Sequence, residues 1–354
     1  MHGIPVLSHN SSLALLRSVP PQTGLLTPTS EAIRTESLTP SARDLSVCDA
    51  DRLGIARPLH VLTAGSRPPL RIEGVTSHGI SAQEIPAGLL WSYDTGPRTD
   101  MTGPHTDPPA LLTCGPELTF IQMTTRLNLA GRVVLGHELC GTYSQFARMI
   151  SGYYERPALT TRADIERATR LMTGMRGVTM ARQALKWVRE GARSPMETIV
   201  SCMLFLPPSE GGYGFAQPTL NYEVPLDARA RAITQTSTCY VDAAWPNLKL
   251  GIEYDSSAWH HDPDKDRRHR EALTHMGWTI YTLQLDDMRG FAALDRMVSL
   301  FAERVPRARG NGSASASAKD RLLKRLFTLT RCGLGLEAAL FGVPVARDSV
   351  QTYL

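Results

Sequence analysis

The sequence predicts an α/β (α+β) protein of two domains, on three observations. Its 354 residues, 42% hydrophobic and 20% charged, are enough for two soluble cores. From Phe215 onward, apolar runs of strand length are followed by one charged helical stretch and a further strand. Before residue 160 the chain shows short apolar runs set in Pro-, Ser-, Thr- and Gly-rich sequence, the pattern of a separate small α+β unit.

In that first part, 1–160, "PLHVLT" (58–63) and "LRIEGVTSH" (70–78) are predicted as short strands bounded by turns. "PALLTCGPELTFIQMTTRL" (109–127) is predicted as a strand running into a helix that starts at Gly-Pro-Glu. Between them "YDTGPRTDMTGPHTDPP" (93–109) is a surface loop; it carries His105 with Asp94, Asp100 and Asp107, but nothing there would fix metal ligands. His60 and His78 read as structural histidines, not as ligands. Residues 161–190 have apolar positions at helical spacing, broken around Gly174 and Gly177, and are expected to form a helical connector.

The second domain is expected over 191–305. "GARSPMETIVSCMLFLP" opens a helix with Ser194 as N-cap, Pro195 at the first position and Glu197 at the third, where a capping box places it. Strands follow in "FAQPTLNYEV" (215–224), "STCYVDAAWP" (237–246) and "LKLGIEYDS" (248–256), then a charged helix over about 263–276 and a strand in "WTIYTLQL" (278–285). Residues 306–320, "PRARGNGSASASAK" and its continuation, are expected as a flexible linker, and 321–354 as an amphipathic helix.

No run of about 18 apolar residues is present and the start lacks a basic region leading into a long apolar stretch, so a cytoplasmic protein without membrane contact is expected. The 6 cysteines have no CxxC spacing, which argues for reduced thiols and against a zinc site. A net charge of +4 allows nucleic acid as a partner without requiring it. There is no GxGxxG or P-loop sequence, which ranks nucleotide-dependent chemistry last.

The chemistry-bearing residues gather in "VDAAWPNLKLGIEYDSSAWHHDPDKDRRHR" (241–270). If its two strands pair as a hairpin, Asp242 and Glu253 share a solvent side, and Asp255 and Lys249 lie on the face of Glu253. Carboxylates so placed repel each other, and a divalent cation with oxygen ligands, Mg²⁺ or Mn²⁺, resolves the conflict. His260 and His261 are adjacent and point in different directions, so one of them serves the site as ligand, general acid or water-orienting group. On the following helix Asp266, His269, Arg270 and Leu273 share a face flanked by Arg267, and arginines beside a carboxylate cluster suit a phosphodiester.

This stretch, with "REALTHMGWTIYTL" after it, resembles the core of Vsr-like proteins, the very-short-patch-repair endonuclease branch of the PD-(D/E)xK superfamily. The elements that match, in order, are an Asp on one strand, Glu-x-Asp on the next, a His pair, an Asp-Arg helix start, Leu, Gly-Trp and a last strand, over roughly 191–290. The resemblance implies a restriction-endonuclease-like mixed sheet flanked by helices and metal-dependent cleavage of DNA. Asp242 and Glu253 would be metal ligands, Asp255 and Glu197 would stand nearby, His260 or His261 would transfer protons, and Arg267 and Arg270 would bind phosphate. The superfamily's usual Lys, two residues after the acid, is Asp255 here; Lys249 is a candidate substitute. Upstream, "PLHVLT", "VTSHGIS" and "CGPELTFIQM" are similar to AbiEi-type antitoxin and regulator proteins, which implies a defence or mobile-element setting and a protein partner for the N-terminal domain. The rival expectation is a non-catalytic DNA-binding regulator that keeps the nuclease fold. For Glu197 a capping role alone explains the spacing.

Overall fold

The structure is a computed structural model that describes residues 4–45, 48, 50–53, 55–94, 111–146, 149, 151–255, 262–307 and 312–330. The protein has an α/β fold and divides into two compact units: Met1–Asn128 with Arg156–Val188, and Leu129–Glu155 with Arg189–Leu354.

The first unit runs β1 (Val6–Leu7), α1 (His9–Ser18), β2 (Leu26–Pro28), β3 (Ile33–Arg34), α2 (Ala42–Leu45), α3 (Ala50–Leu53), β4 (Leu59–Ala64), β5 (Val75–Ile80), β6 (Glu84–Ile85), β7 (Leu90–Tyr93), β8 (Leu111–Cys114) and α4 (Pro116–Met123). Its main sheet has the order β2-β7-β8-β1-β4-β5, with β1–β8 and β4–β5 parallel and the other pairs antiparallel. The strand expected in "LRIEGVTSH" starts late, at Val75, because Gly74 turns the chain at φ 68 just before it. Most of the 93–109 loop, His105 included, lies outside the described residues.

The chain then leaves and re-enters this unit. The elements α5 (Leu129–Leu139), β9 (Tyr143–Gln145) and β10 (Tyr153–Glu155) belong to the second unit, whereas α6 (Arg162–Leu171) and α7 (Val178–Leu185) return to the first and pack on α4. This corrects the boundary expected at residue 160 and the reading of 161–190 as a connector. The reason is apolar packing: α6 and α7 bury Ile165, Ala168, Ala181 and Ala184, and α5 buries Val133, Val134, Leu135 and Leu139.

The second unit continues with α8 (Pro195–Phe205), β11 (Thr219–Pro225), α9 (Ala228–Thr234), β12 (Thr238–Trp245), β13 (Leu250–Asp255), α10 (Pro263–His275), β14 (Thr279–Gln284), α11 (Phe291–Ser299) and α12 (Ala316–Thr330). The sheet order is β11-β12-β13-β14, antiparallel for the first two pairs and parallel for the last. Both α9 and α10 cover one side through a core of Val224, Leu226, Ala230, Cys239, Val241, Ala272, Leu273 and Trp278. Helix α8 lies against β12 and β13, and it packs in turn against α5 and α12. The linker expected over 306–320 is also corrected, since α12 begins at Ala316. Ser315 caps that helix, its side chain accepting from the Ala318 amide, and Leu322, Leu323, Leu326 and Phe327 are buried at helical spacing. Among the described residues no helix is long and apolar enough to cross a membrane.

Candidate active site

Three carboxylates come from three elements of the second unit. Glu197 sits in the first turn of α8, where the Ser194 hydroxyl accepts its amide at 3.1 Å, the cap expected from Ser-Pro-x-Glu. Its own carboxylate does more than close the cap. Oε2 accepts from the Arg193 amide at 2.9 Å and from Asn221 Nδ2 at 2.6 Å. Asn221 stands in the left-handed region, φ 44, and its Nδ2 also donates to the Gly191 carbonyl at 2.8 Å. Pairing of β11 with β12 passes over Asn221 and Asp242, running from Leu220–Ala243 to Tyr222–Val241. The register is unbroken across this step, so Asn221 stays opposite Asp242 and only its left-handed backbone departs from the strand.

Asp242 is half-buried, and its Oδ2 accepts from the Tyr254 amide at 2.9 Å. The β12–β13 pairing ends at Ala243–Ile252, and one step further in register sets Asp242 across from Glu253. Burial first, and then the charges of Glu197 and Glu253, push the Asp242 carboxyl well above the usual range, against the pull of the Tyr254 amide and of His269. Burial also raises Glu197, against the Arg193, Asn221 and Ser194 hydrogen bonds that favour its charged form.

Glu253 Oε1 lies 2.8 Å from His269 Nε2, with side chains 18% and 29% exposed. Burial opposes a proton on His269, but Cys239 and Glu253 against the ring outweigh it and hold its pKa up at about 10. This favours the imidazolium form of His269 at neutral pH. Neither His269 nor Asn221 was assigned a site role from sequence. For His269 a signal existed, its place on the Asp266–Leu273 helix face; the left-handed Asn221 had none.

The remaining expected residues divide. Asp255 ends β13 one pleat beyond Glu253, opposite Gln284 of β14. Asp266 is half-buried one turn before His269. Arg270 is exposed on α10, and Arg267 is exposed too, paired with Asp264 at 3.3 Å and Glu271 at 3.7 Å along its own helix. Lys249 does not stand on the face of Glu253, where strand alternation would place it. It occupies a left-handed turn, φ 45, ahead of β13, and its Nζ donates to the Met276 carbonyl at 2.9 Å. Four residue steps, about 13 Å of extended chain, separate it from Glu253. His260 and His261 lie outside the described residues.

The donor chemistry fits a hard divalent cation. Glu197, Asp242 and Glu253 are oxygen ligands, and the repulsion that raises Asp242 is what a cation would relieve. Asp242 and Glu253 each use one oxygen in the bonds above, which leaves Oδ1 and Oε2 for it. Among the described residues no three His, Cys, Asp or Glu side chains are already gathered to hold a metal.

Comparison with known proteins adds little to this geometry. No family model and no solved structure matches the chain. Two curated proteins of Mycobacterium tuberculosis, each described only as an uncharacterized protein, are 30% identical to it over 154 residues, 43% of this chain and 51% of theirs. The chain thus spans about half the length of the curated relatives it matches.

Proposed function

We propose that the second unit is a metal-dependent DNA endonuclease of the Vsr-like, PD-(D/E)xK type. What supports this reading is that Asp242, in register across from Glu253 on the two inner strands of the mixed sheet, is half-buried and feels the charges of both Glu197 of α8 and Glu253; burial and these charges together raise its carboxyl. A binding module has no need of such a cluster, because carboxylates repel the phosphates of DNA.

In this reading Asp242 and Glu253 hold Mg²⁺ or Mn²⁺, with Glu197 beside them. When bound, such an ion supplies Lewis acidity to the scissile phosphate and lowers the pKa of a water. The chain's own groups orient the ligands: the Tyr254 amide fixes Asp242, Asn221 and Arg193 fix Glu197, and His269 fixes Glu253. Arg270, exposed on the helix that carries His269, is the phosphate-binding candidate; Arg267 is already matched by two carboxylates of its own helix. His260 or His261 takes the proton-transfer role.

Two observations favour a second reading, a DNA-binding regulator that has kept the fold without the activity. Glu253 is paired with His269, and the usual lysine position is Asp255. A plasmid nicking assay with Mg²⁺, Mn²⁺ or EDTA, run beside Glu253→Gln, separates the two. Metal-dependent nicking lost in the variant supports the nuclease. DNA binding in a shift assay without any cleavage supports the regulator.

A further inference from the structure

The first unit holds a cluster that neither reading uses. Strand β1 turns into α1 through Ser8, and His9 there adopts a left-handed backbone, φ 49, that a side chain larger than glycine rarely takes. Unfavourable backbone of this kind persists where the surroundings require it, often at binding sites. This turn places the His9 ring on His78, centroids 3.7 Å apart and planes inclined by 24°. His60 and His78 stand on the parallel neighbours β4 and β5, and the register His60–Thr76, Leu62–His78 puts them on one face. Their Nδ1 and Nε2 atoms are 2.8 Å apart.

Among the described residues the charged side chains that bear on this stack are cationic: Arg126 acts on each of the three rings and Arg176 on His9. Both arginines are exposed, and among the described residues neither has an ion-pair partner. His9 and His78 are partly exposed, so the stack is reachable from solvent. Ser8 Oγ lies 3.2 Å from His9 Nδ1, and the His9 amide donates to Gln122 Oε1 at 3.0 Å, which holds the turn in place.

We propose that His9, His60 and His78, with Arg126 and Arg176, form a phosphate-binding site that takes the phosphate group of a nucleotide or of a nucleic-acid backbone. Arginine forks and imidazoles are donors suited to phosphate oxygens. A dianion brings the negative charge that this cluster lacks, and its arrival favours protonation of the rings. Neutral imidazoles are also transition-metal ligands, but a cation would face Arg126 at every ring. The site stands independently of the nuclease reading, on the other unit.

The test is an NMR titration of the full chain, following the histidine Cε1–H resonances at pH 7 with inorganic phosphate and, separately, with a short DNA duplex. Assignments come from His9→Gln and His78→Gln. Saturable shifts at His9 and His78 are expected, weakened roughly tenfold or more in Arg126→Gln and Arg176→Gln, as for the loss of one charge-assisted hydrogen bond. Both arginines are exposed, so an unchanged melting temperature confirms that the variants fold. Shifts with the duplex that phosphate competes away identify the source as nucleic-acid backbone, and shifts with phosphate alone identify a small phosphate compound. The proposal is overturned by any of three results: no saturable shift with either probe, equal affinity in the double arginine variant, or saturation of the three rings by Zn²⁺ with none by phosphate.

Discussion

Replacing Glu253 with Gln removes the charge that faces His269 and keeps nearly the same side-chain shape. In the folded protein His269 is held at about 10 against an ordinary 6.5, which sets a ceiling of about 5 kcal/mol on what its charged form contributes. Part of that ceiling belongs to Cys239, and the ring is 29% exposed, so the share of Glu253 is about 1–3 kcal/mol, typical of a hydrogen bond between charged groups. Relief of the repulsion on Asp242 offsets some of the loss. Because the folded pKa is raised, the stabilisation is full below pH 6.5 and disappears as pH climbs toward 10. Urea unfolding at pH 6.5 and 9.5 should therefore show the wild type losing stability with alkali and Glu253→Gln showing a flatter profile. An NMR titration should find His269 near 10 in the wild type and shifted down in the variant. A wild-type His269 that titrates near 6.5, or one unmoved by the substitution, would refute the pairing.

Three further outcomes are expected. In the first unit the histidine shifts run the other way: burial, with the neighbouring rings and arginines, holds His9 at about 3 and His78 at about 4. Neutral rings are favoured there, so its stability should fall as pH drops from 6.5 toward 3, and His78→Gln should lessen that slope in melting curves. Phe327→Ala, which empties a fully buried position on α12, should cost about 3–5 kcal/mol by chemical denaturation, and an effect below 1 kcal/mol would show that α12 does not pack on the unit. Gly251→Ala would bring a methyl 2.4 Å from Val241 Cγ1 and 2.9 Å from Ile280 Cδ1, so a loss of about 1–3 kcal/mol is expected, read as a lower urea midpoint.

In the second unit α8, the four strands β11 to β14 and α10 were legible in the sequence because their signals are local, whereas α9, inserted between β11 and β12, was not expected. Two-residue alternation marks β12 and β13, Ser194-Pro195 opens α8, Asp262-Pro263 opens α10, and Gly277 closes it. The facing of Asp242 and Glu253 followed from the same alternation once a hairpin was assumed. Alternation failed at Lys249, because a residue in a left-handed turn before the strand does not follow the strand's pleat.

Other features depend on residues far apart in sequence. The ion pair of Glu253 with His269 joins a strand to the helix packed over it, and the bond of Asn221 to Glu197 joins β11 to α8. The Lys249–Met276 contact and the stacking of His9 on His78 are of the same kind. So is the exchange of Leu129–Glu155 for Arg156–Val188 between the two units, since an amphipathic helix shows that it has a face to bury and not which core will take it. Residue types and spacing thus determined the elements and the carboxylates they carry. Packing alone decided which charges meet, because the energy of such a meeting depends on distance and burial, and neither is written along the chain.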